Sequence, residues 1–152
     1  MQWTKSDMEL YVLEKEYVDT LVIPLIPLYT EVDSTIVNGA FQRELNHLTT
    51  HLLEKDYRGR ILLAPDYNYI AENYEEEIRR INQWIEKFNN QPAAHVFLFT
   101  FDTKWKRWEK ELKGHLLWIP SMSDRNLHSS ETRSYVKEQV LQMSELIKAY
   151  WE

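Results

Sequence analysis

An apolar run at residues 94–101 constrains the fold of this chain more than any other stretch. It reads Ala-His-Val-Phe-Leu-Phe-Thr-Phe and contains no proline, no glycine and no formal charge. A strand without polar alternation is typical of a parallel sheet that helices cover on both faces. Amphipathic helical patterns flank the run on both sides. The run therefore predicts a central strand of an α/β fold.

Three further strands are predicted at residues 21–26, 60–64 and 115–119. The first contains Pro24 and is followed by Pro27. Because proline has no amide hydrogen for the ladder, we expect either a bulge or a short strand that leaves Pro27 outside the sheet. The second strand stops at Pro65 and Asp66, and the polar, tyrosine-bearing segment after it predicts a loop.

Helical patterns precede and separate these strands. Ser6 and Glu9 have the spacing of a capping box, which predicts a short first helix that ends near residue 15. Apolar residues at helical spacing predict longer helices at residues 38–55 and 73–88. A short helix is predicted at residues 103–112, and the last helix begins at a cap formed by Ser129 or Ser130.

This element order predicts one three-layer α/β domain over residues 1–152, with an extra N-terminal helix. The sheet is mostly parallel and four-stranded, in a Rossmann-like or flavodoxin-like arrangement. Right-handed crossovers that cover both faces predict the strand order 2-1-3-4, in which strand 3 is the apolar run. The alternative is a sequential winding that leaves one face bare. A chain of 152 residues with 43% hydrophobic content is long enough to bury a real core.

Composition excludes several classes of protein. Cysteine is absent, which excludes disulfides, thiolate nucleophiles and cysteine-based metal sites. No apolar stretch approaches the roughly 20 residues of a membrane span, and the first residues lack the apolar core of a signal peptide. The net charge of -6 argues against broad nucleic-acid binding. We therefore expect a soluble cytoplasmic protein without broad nucleic-acid binding.

Polar side chains follow the predicted strands at their carboxyl ends, where open α/β sheets bind ligands. They are Tyr29, Glu31, Asp66, Asp102, Ser121, Ser123, Asp124, Arg125 and His128. In the order 2-1-3-4, the crossovers after strands 1 and 3 leave to opposite faces, so we expect a crevice between their ends. Such residues are able to form an acid/base or anion site, which predicts a small zwitterion or phosphorylated metabolite as the ligand. The same residue types also cap helices and form turns, which is their more frequent role.

No motif names a cofactor or a metal. The glycines stand alone, so the chain has neither a dinucleotide fingerprint nor a P-loop, and we predict no cofactor. His47 and His51 stand four residues apart on a predicted helix, a spacing that suits a metal. Because a glutamate beside the first histidine and an evident third ligand are missing, we interpret the pair as a solvated helix flank and predict no metal site.

Residues 104–113 form a basic segment with five basic side chains, two acidic ones and two tryptophans. Single-stranded nucleic acids and anionic membrane surfaces both bind such alternations of cation and ring. The helical spacing of Trp105, Trp108 and Leu112 favours a different interpretation, in which a short helix buries the rings against the sheet.

Three stretches resemble the YpiF-like family of bacillar proteins. They are residues 1–7, residues 15–27 and the phrase Glu-Leu-Asn-His-Leu at residues 44–48. The similarity covers the whole chain. Because this family has no assigned activity or catalytic residues, it assigns no role to any residue here. The resemblance implies a bacterial cytoplasmic protein and, since family members are encoded beside a menaquinol-cytochrome c reductase, it allows a partner in a membrane complex.

The crevice residues include no paired base and nucleophile, so we expect a non-enzymatic binding or accessory protein rather than an enzyme. One alternative is a small-molecule enzyme or ligand sensor that uses the crevice. Another is a surface that contacts an anionic membrane or a nucleic acid through residues 104–113. Trp3 near one end of the chain and Tyr150 and Trp151 near the other leave room for an apolar surface that docks a protein partner.

Overall fold

The computed structural model describes residues 1–88, 95–122 and 126–152. Residue 94, the predicted first residue of the apolar strand, lies outside the described residues. The elements are α1 (Lys5–Glu14), a 3-10 turn (Lys15–Tyr17), β1 (Thr20–Leu28), α2 (Asp33–Asp56), β2 (Ile61–Leu63), β3 (Tyr67–Ile70), α3 (Tyr74–Phe88), β4 (His95–Thr100), a 3-10 helix (Thr103–Glu111), β5 (His115–Trp118) and α4 (Ser130–Trp151).

The strands form one sheet in the order β2-β1-β4-β5, and every pairing among the described residues is parallel. In the numbering of the predicted strands this order is 2-1-3-4. The predicted architecture is therefore confirmed. β4 lies within the apolar run, and all of its residues after His95 are buried, as a strand covered on both faces requires.

One strand, β3, was not predicted. It pairs with β1 over residues 25–28, on the same edge where β2 pairs with residues 20–22. The prediction of a polar loop after Asp66 is therefore wrong. Tyr67 and Tyr69 are buried while Asn68 and Ile70 are exposed. This two-residue period covers only four residues and is too short to indicate a strand without β1 beside it.

β1 contains both prolines and is longer than predicted. The carbonyl of Val22 accepts from the amide of Ala64 at 2.9 Å, so this residue bonds toward β2. Because the backbone groups of a strand point to alternate sides, the backbone nitrogen of Pro24 points to the same edge as that of Val22. At Pro24 the pairing of β1 with β2 has ended and the pairing with β3 has not begun. The backbone nitrogen of Pro27 points toward β4, whose pairing with β1 ends at Pro24. Each missing amide hydrogen therefore falls where the ladder is already interrupted.

The predicted helix cap is confirmed for the last helix and is wrong for the first. Ser129 caps α4, since its hydroxyl accepts from the amide of Thr132 at 3.1 Å. The prediction of a capping box at Ser6 and Glu9 is wrong, because α1 begins earlier and Thr4 is its N-cap. α2 also begins before residue 38, at Asp33.

Helices cover both faces of the sheet. α1, α3 and the 3-10 helix Thr103–Glu111 contribute to one buried cluster, and α2 and α4 contribute to the other. The predicted stripe of α4 is buried in the second cluster, at Val136, Val140, Met143 and Ile147. No helix among the described residues combines the length and apolar character that a membrane crossing needs.

The first residue extends the sheet at the edge of β2. The carbonyl of Met1 accepts from the amide of Leu63 at 2.8 Å. Its ammonium lies 2.7 Å from an oxygen of Glu54, and both groups are buried. A buried charge is tolerated when it is paired and hydrogen-bonded. The ion pair and the hydrogen bond from Leu63 therefore hold Met1 beside β2, two residues before Trp3.

Candidate functional site

Asp102, one of the predicted crevice residues, follows β4 and is hydrogen-bonded on both carboxylate oxygens. One oxygen of Asp102 accepts from the hydroxyls of Tyr69, at 2.7 Å, and Tyr74, at 2.6 Å. The other oxygen accepts from the amide of Lys104 at 3.0 Å, which caps the 3-10 helix. Burial raises the pKa of Tyr29, and the negative charge of Asp102 raises it further. The carboxylate of Asp102 therefore acts on the ionisation of Tyr29, the residue that follows β1.

Aromatic rings surround this carboxylate. Burial, followed by the negative charge and hydrogen bond of Asp102, raises the pKa of Tyr69 far above its ordinary value. Burial and the same carboxylate also raise the pKa of Tyr74. The ring of Trp105 meets both tyrosines edge to face, with centroids 5.0 and 4.8 Å apart. Asp102 therefore holds two buried hydroxyls and a helix cap at the same time.

Asp66 belongs to a different network. Its carboxylate lies 2.6 Å from Nε2 of His47 and 3.3 Å from Nε of Arg43, both on α2. The sequence interpretation of His47 as a solvated flank missed this contact, because nothing local joins residues that are 19 positions apart. Asp66 and Asp102 therefore belong to separate hydrogen-bond networks.

A polar cleft of about 520 Å³ lies between α2 and the start of α4. Its lining residues are Glu44, His47, Leu48, His51, Leu127, His128 and Arg133. Nδ1 of His51 lies 2.6 Å from the carbonyl of His47, so this nitrogen is the donor and Nε2 carries the lone pair in the neutral ring. Among the described residues, no group of three or more histidine or acidic side chains is arranged to hold a metal ion.

The remaining predicted site residues have different positions in the fold. Glu31 and Ser121 are exposed, while His128 lines the polar cleft. Ser123, Asp124 and Arg125 lie outside the described residues. The crevice thus remains a prediction.

An aromatic groove of about 590 Å³ lies on the side of the sheet that α1 and α3 cover. Its lining residues are Trp3, Tyr11, Leu62, Pro65, Gln83, Trp84, Lys87 and Phe88. The rings of Trp3 and Phe88 meet edge to face at 5.9 Å, and those of Trp84 and Phe88 lie 6.4 Å apart. Trp84 and Phe88 stand four residues apart on α3, so they share one side of the helix.

Sequence reasoning missed this groove because three segments that are far apart in the chain build it. They are residues 3–11, residues 62–65 and residues 83–88. The one local signal is the spacing of Trp84 and Phe88, which the pattern of a buried helix face also explains. Only the tertiary arrangement shows that part of this ring set borders open volume.

The rings of the basic segment have structural partners. Trp105 is fully buried, and Trp108 packs partly buried against the same cluster. Nζ of Lys106 lies 4.2 Å above the ring of Trp118. The predicted short helix is confirmed at this position as a 3-10 helix.

Comparisons with known proteins agree with the resemblance seen in the sequence. The chain is 27% identical over 151 residues to the uncharacterized protein YpiF of Bacillus subtilis (strain 168). The aligned region covers 99% of this chain and 98% of that protein. No solved structure matches the chain. A family described as "Protein of unknown function (DUF2487)" matches residues 9–151. Since this match spans nearly the whole chain, the protein belongs to the DUF2487 family.

Proposed function

We propose that this protein is a non-enzymatic binding protein that takes up a small apolar ligand in the aromatic groove. The observation that carries the proposal is an open volume of about 590 Å³ with four aromatic side chains in its walls. Small-molecule sites typically measure roughly 300–1,000 Å³ and are lined by apolar and aromatic side chains. Trp3 is 52% exposed, so a ligand that covers it gains the free energy of burying its ring.

The polar groups of the molecule support binding rather than catalysis. Both oxygens of Asp102 accept hydrogen bonds from protein donors, and Asp66 is held by His47 and Arg43. A nucleophilic mechanism needs a hydroxyl or thiol beside a base. In the part of the chain that the structure describes, the side-chain hydrogen bond of the His47 ring goes to a carboxylate and not to a hydroxyl.

A second candidate function is a ligand sensor or small-molecule enzyme that uses the polar cleft. The contact between Asp66 and His47 favours it, because a carboxylate that orients an imidazole is a common arrangement for proton transfer. The basic segment offers less support for a membrane or nucleic-acid surface, since its rings already pack within the protein. A cytoplasmic location is part of the proposal and is supported by the absence of cysteine.

The test uses phenylnaphthylamine, an uncharged dye whose fluorescence rises in apolar surroundings. We expect saturable binding to the wild type and about tenfold weaker binding to Trp3→Ala, which loses one ring of the groove. The matched control is Tyr17→Ala, because Tyr17 is also an exposed aromatic residue but does not line the groove. Its affinity for the dye should equal that of the wild type.

The opposite outcomes are distinct. Absence of saturable binding, or equal weakening by Trp3→Ala and Tyr17→Ala, would contradict a specific apolar site. Binding that His47→Ala abolishes and Trp3→Ala leaves unchanged would move the function to the polar cleft.

A further inference from the structure

We infer that the ligand of the aromatic groove carries one acidic group beside its apolar ring system, and that Lys87 binds this group. The inference rests on the proposed function and adds the chemical class of the ligand. It comes from the charge of the groove, which the volume and the rings alone do not define.

Among the described residues that line the groove, Lys87 is the only one with a charged side chain. It is exposed and lies on α3 next to Phe88, four residues after Gln83, which lines the same groove. Residues four apart share one side of a helix. The ammonium and the amide therefore lie together at the border of an otherwise apolar volume.

This ammonium has no acidic partner within the described ranges of the chain. The adjacent acidic residue on α3, Glu86, forms an ion pair with Lys113 instead. The protein carries a net charge of -6, so its overall field repels anions, and an anionic ligand needs a local cation to bind. Lys87 supplies this local cation at the border of the aromatic groove.

Lys87 also has a possible structural role, because a cation in the last turn of a helix interacts favourably with the helix dipole. The two roles predict different results. Loss of the dipole interaction lowers stability and leaves ligand selectivity unchanged. Loss of a ligand contact changes selectivity between charged and uncharged ligands of the same shape.

The experiment compares phenylnaphthylamine with anilinonaphthalene sulfonate, which has the same ring skeleton and one added acidic group. We expect the wild type to bind the sulfonate more tightly. Lys87→Gln should weaken sulfonate binding about tenfold, as expected for a charge-assisted hydrogen bond, and should leave binding of the uncharged dye within about twofold. Lys87→Arg keeps the charge and should retain most of the preference.

The control is Lys110→Gln, which changes the net charge equally at an exposed lysine outside the groove. Equal loss of sulfonate affinity in Lys110→Gln and Lys87→Gln would overturn the inference, because it would show a general charge effect. If Lys87→Gln changes neither dye while Trp3→Ala weakens both, the inference fails and the proposed function stands. If neither dye binds the wild type, both fail.

Discussion

Asp102 stabilises the carboxyl edge of the sheet through several partners at once. It follows β4, its amide donates to the hydroxyl of Thr100 at 2.9 Å, and its carboxylate holds Tyr69, Tyr74 and the amide of Lys104. A buried hydroxyl without an acceptor is costly. The carboxylate therefore allows two large polar rings to enter the core.

These tyrosines predict a loss of stability at high pH. Burial first, and Asp102 second, raise the pKa values of Tyr69 and Tyr74 above the ordinary value of about 10. Above that pH the unfolded chain releases phenolic protons that the folded chain keeps. The stabilisation is thus complete below about pH 10, and the free energy of unfolding decreases as pH rises further.

The measurement is urea unfolding between about pH 9 and 11, where the tyrosines of the unfolded chain titrate. The double variant Tyr69→Phe with Tyr74→Phe should show a shallower decrease than the wild type. Tyr17→Phe, at an exposed position, is the control and should follow the wild type. Equal pH slopes in all three proteins would contradict the role assigned to the two buried hydroxyls.

The crossover from β4 to β5 shows how an element adapts to a short connection. It is a 3-10 helix of 9 residues, Thr103–Glu111, in place of the α-helix usual in such units. A 3-10 helix rises about 2.0 Å per residue against about 1.5 Å in an α-helix. The same number of residues therefore spans more of the sheet, and Asp102 caps the helix at its start.

The return to β5 depends on Gly114. A Cβ atom at this position would lie 3.1 Å from Cγ1 of Val96, 3.2 Å from its carbonyl oxygen and 3.3 Å from Cγ of Leu98. The carbonyl oxygen of Val96 belongs to the backbone of the central strand β4, so it cannot move away from the added Cβ atom as easily as a side chain could. Gly114→Ala should lower the free energy of unfolding by about 1–3 kcal/mol, the usual cost of overpacking.

Chemical denaturation measures this effect, with the exposed Lys110→Ala as the matched control. The control should stay within about 0.5 kcal/mol of the wild type. A Gly114→Ala variant as stable as the control would show that β5 moves away from β4 without cost.

At the scale of the whole molecule, two buried clusters lie back to back on one sheet. β1 and β4 contribute side chains to both, for example Ile23 and Leu98 on one face and Val22 and Phe97 on the other. Unfolding of one face therefore exposes the strands that support the other. The prediction of a single domain over residues 1–152 thus implies one cooperative transition.

Two tryptophans report on the two faces. Trp105 is buried in the first cluster, and Trp151 packs against the second while its Nε1 donates to the hydroxyl of Thr20 at 2.7 Å. With fluorine-labelled tryptophan, the NMR signals of both folded rings should disappear at the same urea concentration. Separate midpoints would show that the faces unfold as independent units.

The sequence by itself determined the features that are periodic or local. The uncharged run of β4, the stripe of α4 and the cap at Ser129 can be recognised because burial and capping leave a pattern within a few turns of chain. The strand order also followed, since crossover handedness restricts the topologies of alternating strands and helices.

Only the tertiary structure decided the features that depend on contacts between distant residues. β3 is a strand because β1 supplies its partner, and Asp66 turns to α2 because His47 and Arg43 lie there. The aromatic groove exists because Trp3 and Tyr11 lie beside α3 in the tertiary structure. Hydrogen bonds, ion pairs and open volume between distant segments leave no local pattern, so the sites of this protein could not be predicted as well as its fold.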